Sequence, residues 1–261
     1  MEKIDSETII NNITLEAGER LDDLQINNLF LIQKADGYNF NSDSVLLANL
    51  VRILPSEKAV DLGTGSGVIA ILLAAKTRAK HIYGVEIQKG LYERACRSVK
   101  LNNLSERITI INEDMKNAAK VLGTGFDVAV CNPPYDPVPK KGGNGELTET
   151  DICRKEHLAS LEDVAKSAAK LLKHGGLFYV IVKAKRLAEM VFHLKNAKLE
   201  PKEIWPIMPK ADREVDTVVI LSKKGAKPFM TMNKPIIVFN DDGTYTEEAQ
   251  KLYGKGGENE R

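Results

Sequence analysis

Val60-Asp61-Leu62-Gly63-Thr64-Gly65-Ser66-Gly67 joins a short apolar run, Lys58–Leu62, to a longer one, Val68–Lys76. Glycine at every second position lets the chain turn sharply out of a strand into a helix, and lets the backbone approach a ligand closely. The spacing is G-x-G-x-G, and Val68 stands where a dinucleotide-binding fingerprint would place its last glycine. Asp61 sits just before the turn, where a carboxylate repels a pyrophosphate and suits a ligand carrying a cation.

Working outward, short apolar runs alternate with amphipathic ones. His81–Ile87, Ile108–Asn112, Phe126–Cys131 and Leu177–Val182 read as strands. Lys89–Asn102, Met115–Leu122, Leu161–Lys173 and Leu187–Lys198 read as helices, the third closed by Gly175-Gly176. Strand–helix alternation predicts parallel strands joined by crossover helices. Glu203–Met208 and Thr217–Ser222 follow as strands without a helix between them, so the sheet is expected to end in an antiparallel pair. The expected fold is α/β, a Rossmann-like, mostly parallel seven-stranded sheet with an antiparallel end strand and a small N-terminal extension.

The boundaries expected are an extension over 1–52, a catalytic domain over 53–224, a C-terminal appendage over 225–253 and a disordered tail over 254–261. In the extension, Leu24–Gln33 reads as a strand or hairpin, and Ser42 opens a helix through Val51. In the appendage, Ile236–Asn240 reads as a strand, Asp241-Asp242-Gly243 as a turn and Glu247–Leu252 as a helix.

The 261 residues are 43% hydrophobic and 28% charged, ordinary for a globular chain with a sizeable core, and the net charge of +1 supplies no general attraction to a polyanion. The three cysteines, Cys96, Cys131 and Cys153, form no CxxC pair, which fits a reducing compartment. The start lacks a signal-peptide core, and the most apolar run, Val68 to Ala75, is too short to span a bilayer. The four histidines lack metal-ligand spacing. A cytoplasmic protein without a metal or a membrane partner is expected, as a monomer or homodimer.

Two further acids fall at successive strand ends. Glu86 ends the second strand, where a carboxylate can accept both hydroxyls of a ribose, and Asp114 follows the third, level with an adenine amino group. Asn132-Pro133-Pro134-Tyr135 comes directly after the fourth strand. Its prolines fix φ and withhold ladder hydrogen bonds, which holds the Asn132 amide and the Pro133 carbonyl rigidly at the carboxyl edge of the sheet. An exocyclic amine is a poor nucleophile because its lone pair is delocalised into the ring. Two acceptors binding its hydrogens draw the nitrogen towards tetrahedral geometry and free that pair, while Tyr135 can stack on the planar substrate.

Asp61-Leu62-Gly63-Thr64-Gly65-Ser66-Gly67, with Glu86 and Asp114, resembles the class I S-adenosylmethionine-dependent methyltransferases over Lys58 to Lys183. The resemblance implies S-adenosylmethionine as cofactor, held by Asp61, Gly63, Gly65, Gly67, Glu86, Ile87, Asp114, Met115 and Asn132. It implies methyl transfer to a planar amine at Asn132, Pro133, Pro134 and Tyr135. Asn-Pro-Pro-Tyr serves two substrate classes, nucleobase amines and the glutamine amide of peptide release factors, and does not choose between them.

The segment from Gln33 to Ala48, containing Gly37-Tyr38-Asn39-Phe40-Asn41-Ser42, resembles that of bacterial tRNA (adenine-N6)-methyltransferases acting on a valine tRNA. So do Arg154-Lys155-Glu156, Leu161-Glu162-Asp163-Val164 and the tail from Pro235 through Thr246, although Lys155 replaces that family's histidine. The implied activity is methylation of an adenine N6 in tRNA. N5-methylation of a release-factor glutamine and methylation of ribosomal RNA are the alternatives. Tyr38, Phe40, Tyr135, Lys140, Lys141 and Arg154 are the expected substrate contacts. Lys183, Lys185, Arg186, Lys210 and Arg213 are further basic residues expected near the same edge.

Overall fold

The computed structural model describes residues 8–10, 13–35, 42–134 and 158–253. Two hairpins come first, β1 (Thr8–Ile10) with β2 (Ile13–Leu15) and β3 (Glu19–Asp23) with β4 (Phe30–Lys34), followed by helix α1 (Ser42–Leu50). Alternating units follow: β5 (Lys58–Leu62), α2 (Val68–Lys76), β6 (His81–Glu86), α3 (Lys89–Leu101), β7 (Ile108–Asn112), α4 (Ala118–Leu122) and β8 (Phe126–Cys131). After the undescribed segment come α5 (Leu161–Leu171), β9 (Leu172–Lys183), α6 (Leu187–Asn196), β10 (Leu199–Met208) and β11 (Thr217–Lys224). Short β12 (Thr231–Met232), β13 (Ile236–Ile237) and α7 (Glu247–Leu252) close the described chain.

The large sheet runs β12-β10-β11-β9-β8-β5-β6-β7, with β13 also on β10. β5, β6, β7, β8 and β9 run parallel to one another, and β11 runs antiparallel to both β9 and β10. The expected antiparallel end is present, with the reversed strand inserted one place in from β10. Two short parallel pairings from the C-terminal segment extend the seven expected strands along β10.

Inner strands of such a sheet are buried on both faces and therefore read as nearly continuous apolar runs. On one face Ala59, Ile82, Val128, Val130 and Ile181 pack with α1, α2 and α3, and on the other Val60, Leu62, Val85, Cys131 and Val180 pack with α4, α5 and α6. α2 is apolar all round and seven of its nine residues are buried, so it serves as core. Each fully buried Leu, Ile or Val contributes roughly 1.5–3 kcal/mol relative to exposure.

Some boundaries differ from the sequence expectation. Gly175-Gly176 does not end α5. The helix stops at Leu171, and the two glycines lie inside β9, where pairing with β8 jumps from Phe126↔Leu172 to Val128↔Leu177. Gly175 has φ +78° there, a bulge conformation that glycine adopts without strain. The helix expected from Met115 begins at Ala118, after a turn closed by the Asn117 amide on the Asp114 carbonyl at 2.8 Å. Leu24–Leu29 is the turn of a hairpin rather than its strand. The strand expected to reach Asn240 covers Ile236 and Ile237 alone, with an isolated bridge from Phe239 to Tyr245.

The N-terminal hairpin docks on α3 through side chains that meet open backbone groups. Ser98 Oγ and Asn102 Oδ1 accept the amides of Ile32 and Phe30 at 3.0 and 2.9 Å. Arg97 donates to both carboxylate oxygens of the buried Glu19 at 2.6 Å each. At the other end of the chain, Ala249 and Tyr253 join the core cluster that contains Leu46 and Leu47 of α1. The Tyr253 hydroxyl also hydrogen-bonds Ser42, while burial pushes its pKa up to about 12.

Candidate active site

The sheet order reverses direction between β5 and β8, because the chain runs outward through β6 and β7 and then returns. Ligands of open α/β sheets bind in the crevice outside the carboxyl ends of strands at such a point. A cleft lies there, lined by the glycine turn, the ends of β6 and β8, the Glu113-Asp114-Met115 segment, Ser44 of α1 and Leu158-Ala159.

Gly63, Gly65 and Gly67 all have positive φ, at +71°, +58° and +93°. Gly65 shows why this matters. Its left-handed backbone aims the amide at Glu86 Oε2, 2.9 Å away, and a side chain there would strain that conformation. Glu86 Oε1 accepts the Gln88 amide at 2.8 Å. Two backbone donors therefore fix this buried carboxylate, whose two oxygens each take one of them. Gly84 supports the turn from below, since a Cβ at that position would lie 2.9 Å from the Thr64 side chain and 2.6 Å from Ile110.

Asp61 lies beneath the turn, fully buried, and the cleft wall does not include it. Thr64 Oγ1 donates to its Oδ2 at 2.6 Å. Oδ1 is buried with no hydrogen-bond partner among the described residues. Burial pushes the Asp61 carboxyl up to about 7, with the Glu86 charge adding to the effect and the Thr64 hydroxyl and Ala70 amide opposing it. Gly67 likewise stands back from the wall, where it packs on Ala95.

At the far end, Ile87 and Met115 offer apolar surface and Asp114 a carboxylate. Asp114 is held by the Lys116 amide on Oδ1 at 2.9 Å and by the Lys116 ammonium at 3.3 Å from Oδ2. The same ammonium donates to the Leu158 carbonyl at 2.9 Å, which ties the returning chain to this wall.

Asn132, Pro133 and Pro134 close the near side. Asn132 Nδ2 donates to Ser44 Oγ at 2.8 Å, and its Oδ1 is buried with no hydrogen-bond partner among the described residues. A buried amide oxygen without a partner is costly, and beside a cleft it is placed where a donor on a ligand could reach it.

The structure thus gathers Gly63, Gly65, Glu86, Ile87, Asp114, Met115, Asn132, Pro133 and Pro134 around one cleft. Tyr38, Phe40, Tyr135, Lys140, Lys141 and Arg154 lie outside the described residues. Of the other basic residues, Lys183 pairs with Asp216 at 2.8 Å, and the buried Arg186 is held by Glu189 at 2.7 Å, so both serve the fold. Sequence reading missed Ser44, Gln88, Glu113 and Lys116. Ser44 lies within a segment that was read and Glu113 beside Asp114, but only the tertiary structure brings them to the cleft. Among the described residues no acid, cysteine and histidine group forms a metal site, and no helix is long and apolar enough to cross a membrane.

The lining of the cleft can accept a nucleoside, with a buried carboxylate able to meet ribose hydroxyls and apolar side chains beside an acid able to meet a base, while Asp61 lies buried beneath the turn. Comparison with known proteins agrees. The family described as the methyltransferase small domain matches residues 39–198. A tRNA1(Val) (adenine(37)-N6)-methyltransferase of Mannheimia succiniciproducens is 25% identical over 242 residues, 92% of this chain and 94% of that one. Its namesake from Yersinia pseudotuberculosis is 30% identical over 142 residues, 54% of this chain and 55% of the other. In the solved structure of a predicted O-methyltransferase from Agrobacterium tumefaciens, the TM-score is 0.66 at 22% identity, covering 82% of this chain and 96% of that one. At that identity the likeness speaks to the fold.

Proposed function

Since the chain belongs to the methyltransferase small domain family, we propose that it methylates the exocyclic N6 amine of an adenine in tRNA. Its cofactor is S-adenosylmethionine, which when bound supplies an electrophilic methyl group on a sulfonium. The observation that carries methyl transfer to a planar amine is Asn132 Oδ1, a buried acceptor with no hydrogen-bond partner among the described residues, next to two prolines at the cleft. The names of the curated relatives, which act on tRNA1(Val), support tRNA as the substrate.

The residues divide the work. Glu86, fixed by the Gly65 and Gln88 amides, accepts ribose hydroxyls. Ile87 and Met115 cover the faces of the cofactor's adenine, and Asp114 accepts from its amino group. The Asp61 charge under the turn favours the ammonium of the amino-acid part. Asn132 Oδ1 takes one hydrogen of the target amine and the Pro133 carbonyl takes the other, so the nitrogen lone pair points at the methyl. Positioning and fixed dipoles supply most of the acceleration, because the methyl group is already activated.

An adenine stacked in an RNA loop must swing out to reach such a cleft, at a cost of a few kcal/mol. In this reading Tyr135, with Tyr38 or Phe40, holds the flipped base, and Lys140, Lys141 and Arg154 contact phosphates. Such an enzyme works where tRNA is, in the cytoplasm. Incubation with labelled cofactor and either bulk tRNA or a peptide release factor tests the choice. Label in tRNA is the expected result, and label in protein alone would overturn it.

A further inference from the structure

We propose that Ser44, on helix α1 of the N-terminal extension, is a positioning residue for methyl transfer, acting by holding the Asn132 carboxamide with its oxygen towards the target amine. The inference deepens the reading of Asn132 as the amine's acceptor and rests on it.

A carboxamide has two chemically opposite ends of nearly the same shape. Towards an amine that donates two hydrogens, only the oxygen end is productive, because the nitrogen end would set donor against donor. The prolines after Asn132 fix the backbone but leave rotation about the last side-chain bond open. In the structure the amide is held by a residue 88 positions away: Ser44 Oγ accepts from Asn132 Nδ2 at 2.8 Å. Turning the amide over would let the Ser44 hydroxyl donate to Oδ1 instead, but would move Nδ2, with two hydrogens to place, to the buried position where Oδ1 has no partner among the described residues, which a buried donor tolerates poorly.

Ser44 is itself held firmly. It is 5% exposed and lines the same cleft as Asn132. Its neighbours Leu46, Leu47 and Ala48 are core residues, and the first turn of α1 is braced by Tyr253 through Ser42. The extension and the C-terminal helix thereby contribute to the geometry of a loop that follows β8.

Ser44→Ala removes the acceptor and little volume. Single-turnover methylation of tRNA should fall roughly tenfold to a hundredfold, the scale of a misplaced reacting group. Cofactor affinity should stay at its wild-type value, while the thermal midpoint should fall by a few degrees, as the loss of one buried acceptor requires. In an Asn132→Ala background Ser44→Ala should change nothing further, since its effect passes through Asn132. Nuclear magnetic resonance of isotope-labelled protein supplies a readout independent of turnover: the Asn132 side-chain amide signal, identified by its loss in Asn132→Ala, should show one slowly exchanging proton that Ser44→Ala abolishes.

A Ser44→Ala protein with wild-type turnover, or with the same further loss in both backgrounds, would overturn the proposal. So would an amide signal that does not respond to Ser44→Ala. A wild type that methylates no tRNA overturns the substrate reading instead, and the amide signal then still decides whether Ser44 orients Asn132.

Discussion

Glu86 Oε2 accepts the backbone N–H of Gly65 at 2.9 Å, so the carboxylate at the end of one strand is locked to the turn that leaves its neighbour. This bond couples the shape of the glycine turn to the group proposed to accept ribose hydroxyls. Glu86→Gln keeps the size but replaces one acceptor with a donor, which must then face the Gly65 or Gln88 amide. Cofactor affinity should drop by about 1–3 kcal/mol, or roughly tenfold to a hundredfold, as measured by calorimetry. Affinity equal to wild type would mean that Glu86 serves the turn alone.

Asp61 predicts a pH dependence of stability in the ligand-free protein. Its folded pKa of about 7 lies above the ordinary aspartate value of 3.8. The native state therefore binds more protons than the unfolded state across that window. Stability contributed by the protonated acid is fully present below the lower value and is lost as pH rises through the upper one, at up to about 1.4 kcal/mol per pH unit. Urea titrations across this range should show the decline in wild type and a flatter profile in Asp61→Asn. A cation bound nearby favours the carboxylate, so binding S-adenosylmethionine near neutral pH should release a proton, seen as a dependence of binding enthalpy on the buffer. Identical profiles for wild type and Asp61→Asn would contradict the assignment.

Lys116 bridges Asp114 and the Leu158 carbonyl, two residues that line the cleft. Its side chain is 44% exposed, so the bridge is worth about 0.5–1 kcal/mol. Lys116→Met should raise the cofactor dissociation constant by roughly twofold to fivefold and lower the thermal midpoint only slightly. A loss of stability with unchanged affinity would assign Lys116 to the fold.

Arg97 and the nearly inaccessible Glu19 form the ion pair that docks the hairpin on α3. Arg97→Ala leaves Glu19 buried and unpaired, at about 3–5 kcal/mol. Replacing both residues with methionine should restore most of the stability, because the unpaired charge is then gone. Equilibrium denaturation distinguishes the outcomes, and a single variant no less stable than the double would refute the argument.

What the sequence made legible was local. The glycine turn, Glu86, Asp114 and Asn132 each stand at a strand end, and a strand end can be read from periodicity and a neighbouring glycine or proline. Ser44 and Lys116 could not be read that way, because their partners Asn132 and Leu158 lie 88 and 42 positions away and only the fold brings them close. Gly175-Gly176 misled for a related reason: two glycines after a helix usually stop it, but here β9 has already begun and pairing with β8 absorbs them as a bulge. Asp61 was legible as an acid before the turn. Its complete burial follows from Thr64 folding over it and was not.

The central claim is that Asn132 presents an acceptor to an adenine amine of tRNA. Nucleoside analysis by mass spectrometry, after single-turnover reaction of tRNA with wild type and with Asn132→Ala, tests it most directly. The account predicts N6-methyladenosine in the wild-type reaction and its near absence with Asn132→Ala, at unchanged cofactor affinity. Methylation at another atom, or equal N6-methyladenosine from both proteins, would contradict it.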